Sequence, residues 1–183
     1  AGADAGNYNI TGFSSISTSA NITKAALTVT ANNAAKTYNG SAWSGNSGVS
    51  ISGFVNGETS TVLSGSLSYT GSAQGAVNAG SYAITPQGLS SGNYQISYGN
   101  GTLTVSPATL SLSANSASRL YGASNPAFSG TVTGFVGSDT LANATTGTLA
   151  FSSPATATSN VGSYAINGSG LTANNGNYVF AQA

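Results

Sequence analysis

Leu27–Gly40 (LTVTANNAAKTYNG) and Leu110–Gly122 (LSLSANSASRLYG) are two versions of one passage, and the segments after each recur in the same order. AWSG (Ala42–Gly45) answers AFSG (Ala127–Gly130), and GFVNGET (Gly53–Thr59) answers GFVGSDT (Gly134–Thr140). Further on, LSGSLSY (Leu63–Tyr69) answers TTGTLAF (Thr145–Phe151), AGSYAI (Ala79–Ile84) answers VGSYAI (Val161–Ile166), and GNYQI (Gly92–Ile96) answers GNYVF (Gly176–Phe180). The period is about 84 residues. A repeat of that length must close a core of its own, and it far exceeds the roughly 20–30 residues of a solenoid coil. The chain therefore carries two modules of one design.

Within each period the segments LTVTA, SLSY, SYAIT, YQISY and TLTV alternate apolar and polar residues and are rich in β-branched and aromatic types, the pattern of half-buried strands. Asn-Gly pairs at 39–40, 56–57, 100–101, 167–168 and 175–176 mark turns between them. No sustained helical period appears, although the residues after Glu58 and Asp139 suit a single helical turn. The expected fold class is all-β: two tandem, small, Ig-like β-sandwiches in a rod. Leu27, Val29, Phe54, Leu67, Tyr82, Ile84, Tyr94 and Ile96, with their second-module counterparts, are the expected core.

The expected boundaries are 1–24 for the tail of a preceding module, 25–107 for the first module and 108–183 for the second. GNYNI (Gly6–Ile10) and ANITKAAL (Ala20–Leu27) both match closing segments of a module, the latter answering TLTVSPATL (Thr102–Leu110). The second module has no counterpart of GTLTVSP after its GNY strand, so it is expected to lack its closing strand. A β-sheet edge left unpaired invites another strand, and head-to-tail association between chains is the expected result. Ser106, Pro107 and Ala108 alone join the modules, and so short a link containing proline makes a stiff junction.

Chemistry has little material here. Of 183 residues only three are basic and three acidic, and Cys, Met and His are absent. Without a basic patch the chain has nothing to neutralise phosphates, which argues against nucleic-acid binding. No apolar run approaches a membrane span. Thiolate chemistry, disulfides and His-based catalysis are excluded by composition. Asp4, Glu58 and Asp139 fall in three different modules, so they form neither a glycosidase pair nor a calcium cluster within one module. No enzyme activity, cofactor or metal is expected.

Each module nevertheless keeps one cation and one anion in matching places: Lys36 and Glu58 in the first, Arg119 and Asp139 in the second. Three roles are open for the acid. It can cap or shape the turn that comes after it, pair with the module's cation, or promote a Lys–Asn isopeptide; Arg119 closes the last route in the second module. Trp43 is a candidate glycan contact through its ring face, but Phe128 in the matching place favours packing. N-x-Ser/Thr triplets begin at Asn9, Asn21, Asn39, Asn100, Asn143 and Asn167, about as many as 19 Asn and 53 Ser or Thr give by chance, so they carry no evidence of glycosylation.

The order LTVTA…KTYNG…GFVNGET…LSGSL…AGSYAITPQGLSSGNYQISYGNGTLTV resembles the MBG modules of large bacterial surface adhesins of the filamentous-haemagglutinin-like kind. LYGASNPAFSG and GFVGSDT resemble the Tyr-Gly-marked variant of that module. GADAGNYNITGF…ANITKAALTV resembles the tail of a YDG module, which precedes MBG modules in such chains. The resemblance implies a secreted stalk segment at the bacterial cell surface, serving adhesion or biofilm formation, with no catalytic residues. Its implied partners are neighbouring modules of the same adhesin; the alternative is a module that itself binds glycan or self-associates through sheet edges.

Overall fold

The computed structural model describes residues 19–183. Asp4, the Gly6–Ile10 segment and the Asn9 triplet, with most of the expected YDG-like tail, lie outside the described residues.

The first module has seven strands: β1 (Ala25–Ala31), β2 (Ala34–Thr37), β3 (Val49–Ser52), β4 (Ser64–Thr70), β5 (Gly80–Ser90), β6 (Tyr94–Gly99) and β7 (Gly101–Ser106). They form two sheets, ordered β3-β1-β6 and β2-β7-β5-β4. The second module has five: β8 (Ala108–Ala114), β9 (Gly130–Thr133), β10 (Thr145–Ser152), β11 (Asn167–Ala173) and β12 (Tyr178–Gln182). Its sheets are β12-β8-β9 and β10-β11. In both modules the opening strand runs parallel to the GNY strand and antiparallel to the short third segment. The architecture is all-β, two tandem sandwich modules.

Alternation does what the sequence pattern requires. β1, β7 and β8 each bury every second side chain, and Leu27, Val29, Leu103, Val105, Leu110 and Leu112 lie at the centre of the core. Ile84, Tyr94 and Tyr178 are buried with them. Phe54, Leu67, Tyr82 and Ile96 are only half-buried: Phe54 lies in the loop after β3, Leu67 and Ile96 lie on the edge strands β4 and β6, and Tyr82 lies on β5. Leu103 and Val105 are absent from the expected core and are buried because β7 is an inner strand of its sheet. β7 has β2 parallel on one side and β5 antiparallel on the other.

The helical turns fall where expected, as a 3-10 turn at Ser60–Val62 and one α-turn, α1 (Leu141–Ala144). The Asn-Gly pairs divide. Asn56-Gly57 and Asn175-Gly176 take left-handed backbone at both residues, the type I′ geometry of a tight turn. Asn167-Gly168 instead begins β11, and a side chain at Gly168 would crowd the Phe151 ring and Leu112.

The modules also differ in their strands. Residues 117–120 and 162–166, the counterparts of β2 and of the first half of β5, form no strand. Those two segments are the flanks of β7 in the first module, and among the described residues no strand lies between them in the second.

Candidate functional site

Pro107 alone separates β7 from β8, so the end of one sandwich feeds directly into the start of the next. The core is continuous across that step: Tyr38, Ala76, Val105, Ala108, Leu110 and Tyr178 belong to one buried cluster.

Each module first builds a small internal unit around its acid. In the first, the Tyr94 hydroxyl donates to Glu58 Oε2 (2.5 Å) and accepts from the Val55 amide (3.1 Å), while the ring meets Phe54 edge-on at 5.5 Å. In the second, the Tyr178 hydroxyl donates to Asp139 Oδ2 (2.7 Å) and accepts from the Val136 amide (3.0 Å), with Phe135 edge-on at 6.0 Å. The aromatic pair fixes the ring, and the ring presents its hydroxyl to the turn that carries the acid.

The junction adds a second tyrosine. Tyr38 of the first module donates to the same Asp139 Oδ2 (2.9 Å), and its ring packs edge-on against Tyr178 at 5.3 Å and 79°. Beside it, Asn177 accepts from the Ala79 amide (2.7 Å) and donates to Asn78 Oδ1 (3.0 Å). The Asn177 backbone carbonyl takes the Ala108 amide (2.9 Å) where the link enters β8. One half-buried acid and one buried amide side chain thus tie the two sandwiches together.

The local electrostatics reflect this arrangement. Burial, then the hydrogen bond to Asp139, pushes the Tyr178 hydroxyl up from 10.0 to about 12. The same causes raise Tyr38, while the hydrogen bond to Glu58 is the first cause for Tyr94. All three tyrosines are held neutral as donors to carboxylates.

The charges singled out in the sequence have other partners than those expected. Lys36 donates to the Ser41 carbonyl (2.6 Å). Arg119 donates to Asn125 Oδ1 (2.7 Å) and to the Thr156 carbonyl. Neither expected ion pair forms: Lys36 and Arg119 come after the opening strand and are satisfied within nearby loops, whereas Glu58 and Asp139 face the GNY tyrosines. The Glu58-promoted isopeptide has no support in this geometry, because Lys36 and Glu58 are bonded to different groups. Nor does the acid cap the turn. Thr140 caps α1, with Asn143 completing a reciprocal capping box, and Thr59 makes no side-chain cap. Trp43 is half-buried against the core, its backbone clasped to Gly75 and Ala76, so the ring serves packing rather than a free glycan platform.

Sequence reasoning missed Tyr38, Asn177 and Tyr178 as the acid's company. The signal was there: the tyrosine at 38 and 121 and the Asn-Tyr pair at 93–94 and 177–178 recur with the acids. Read as strand residues alone, they pass for core.

A second feature lies at the far end of the second module, where a cavity of about 360 Å³ opens between residues 116–121 and 159–166. Phe128, Tyr164 and Ile166 line its apolar side.

Tandem sandwiches joined by a one-residue proline link and a shared acid define a structural repeat protein. The chain belongs to the MBG domain (YGX type) family, whose model matches residues 27–104 and 110–183. Both modules match the YGX type, including the first, whose motif reads Tyr38-Asn39-Gly40. MBG domains are repeat modules of surface-exposed proteins and are generally non-catalytic. No curated protein and no solved structure matches the chain. Among the described residues no helix is long and apolar enough to cross a membrane.

Proposed function

We propose that this chain is a non-catalytic stalk segment of a secreted bacterial surface adhesin, a stiff spacer that holds a distal binding domain away from the cell during adhesion or biofilm formation. The observation that carries the reading is the junction itself. Pro107 permits little bending, and half-buried Asp139 with buried Asn177 bridges both modules. A junction with this many restraints transmits force and orientation, which is what a spacer must do. The half-buried setting of Trp43 gives no matching support to a glycan-binding reading.

Small-angle scattering on the chain tests the reading against the same chain carrying Asp139→Ala and a Gly-Ser insertion at Pro107. A stiff stalk gives a rod profile for the parent and a broader distribution of lengths for the variant. Identical flexible profiles, or specific retention on a glycan array, would overturn it.

A further inference from the structure

The junction between the modules encloses a cavity of its own, of about 130 Å³. Tyr38 and Asn78 of the first module and Asp139, Asn174, Asn175 and Asn177 of the second stand around it. Tyr38 and Asn177 are buried, Asp139 and Asn174 are half-buried, and Asn78 and Asn175 are exposed, so a closed polar floor meets a mouth open to solvent. Of the nine lining residues five are asparagine, and only Ala144 lacks a polar side-chain atom, so the space suits a hydrated occupant. A water takes roughly 30 Å³, which leaves room for an ion with two or three waters of its own.

The bonds already made around the cavity use up donors and leave acceptors. Asp139 receives both tyrosine hydroxyls on Oδ2, and its Oδ1 has no partner among the described residues. Asn174 donates through Nδ2 to the Asn143 carbonyl (2.8 Å), Asn177 through Nδ2 to Asn78 Oδ1 (3.0 Å), and Asn143 through Nδ2 to the Ser138 carbonyl (3.3 Å). What remains is oxygen: Asp139 Oδ1, Asn174 Oδ1, a second lone pair on Asn78 Oδ1, and the Asn175 side chain, which bonds to no other described group.

No side chain balances the charge on Asp139. The chain's three basic residues are all engaged elsewhere: Lys24 on the Ser91 carbonyl (2.9 Å), Lys36 on the Ser41 carbonyl, and Arg119 on Asn125 and Thr156. A half-buried carboxylate among surplus amide oxygens, with no cationic side chain beside it, favours a bound positive charge.

We infer that the junction cavity binds a calcium ion, held by Asp139 Oδ1 and the amide oxygens of Asn78, Asn174 and Asn175, with water completing the shell. Calcium takes roughly six to eight oxygen ligands in a flexible array, amide carbonyls and waters among them. Magnesium demands near-octahedral geometry and gives up its water reluctantly, and the imidazole and thiolate ligands that favour transition metals are absent from the chain. Neither module holds the site alone. Among the described residues no three acids come together, and the oxygens of Asn78 and Asp139 belong to opposite sides of the joint. With one carboxylate, the affinity falls in the weak class of extracellular calcium modules, about 0.1–1 mM. The inference concerns the cavity alone and holds whether or not the chain serves as a stalk.

Isothermal titration of the full chain with calcium chloride at constant ionic strength tests it, together with thermal melts. Half-saturation should fall at about 0.1–1 mM, and calcium should raise the melting temperature. Asp139→Asn keeps the shape and an acceptor for the tyrosines but removes the charge, and should weaken binding at least about tenfold. Asn175→Gly suits the left-handed backbone at 175 (φ 53°) and deletes one ligand, and should weaken binding about threefold. Glu58→Gln, at the matching acid outside the junction, should leave binding unchanged. Magnesium should bind at least about tenfold more weakly than calcium. No heat and no shift in melting temperature up to about 10 mM calcium, ten times the weak end of that range, would overturn the inference. So would binding that survives Asp139→Asn and Asn175→Gly, or an equal response to magnesium, which would reduce the effect to general charge screening.

Discussion

At Asp139 a single carboxylate oxygen accepts from two tyrosine hydroxyls that belong to different modules. Removing it leaves two largely buried donors without an acceptor, which costs more than the bonds alone contributed. Asp139→Ala should therefore destabilise the chain by about 2–4 kcal/mol in urea titration. Glu58→Ala removes the acceptor of Tyr94 alone, and should cost at most about 2 kcal/mol. Equal losses at the two acids would contradict the double role of Asp139. The same residues set the pH dependence. Tyr178 ionises near 10.0 when unfolded and at about 12 when folded, so between those values the folded state holds a proton that the unfolded state has lost. Its contribution is complete below pH 10 and disappears as the pH rises to about 12, and the raised Tyr38 and Tyr94 act in the same direction. Without His, stability should stay level from pH 5 to 9. Thermal melts should then fall through the alkaline range, and Tyr178→Phe should flatten that fall.

At the scale of elements, the β4–β5 and β10–β11 ladders break register at the same point, beside facing glycines. Gly147 (φ 91°) and Gly170 (φ 89°) each press against backbone carbonyl oxygen of the other strand, where a Cβ has no room. Gly147→Ala should cost at least about 2 kcal/mol, since strained backbone and a clash with an unyielding carbonyl add. Gly137→Ala, equally left-handed but in open space, should cost only about 1 kcal/mol. Denaturant midpoints of the two variants decide the point. These elements also show what sequence could and could not disclose. Period-two alternation located β1, β4, β5, β6 and β7, and the recurring phrases counted the modules, because both are local patterns. Partner choice is not local. Nothing in TLTV announces that β7 sits between β2 and β5, or that Asn167-Gly168 enters a strand while Asn175-Gly176 turns. The acids were visible as a repeated oddity. Their tyrosine partners stand 39 and 101 residues away from Asp139, beyond any local motif.

Across the whole molecule, one buried cluster runs from the first sandwich into the second, so the seven-stranded and five-stranded units should not melt independently. Calorimetry of the chain should give one transition. Asp139→Ala should split it into two, with the five-stranded unit unfolding first. Trp43, the chain's single tryptophan, lies in the first module and should report only the later step by fluorescence. Two separate transitions in the parent would show that the junction contributes little coupling. The one-residue link has a further consequence for rotation about the long axis. Because Pro107 leaves no slack between β7 and β8, the azimuth of each module relative to its neighbour is set by covalent geometry. Modules joined by the same step are turned by the same angle each time, like treads on a spiral stair. A surface feature that recurs once per module is thereby distributed along a screw of constant pitch, and adding or deleting one residue at position 107 would rotate everything beyond it out of phase.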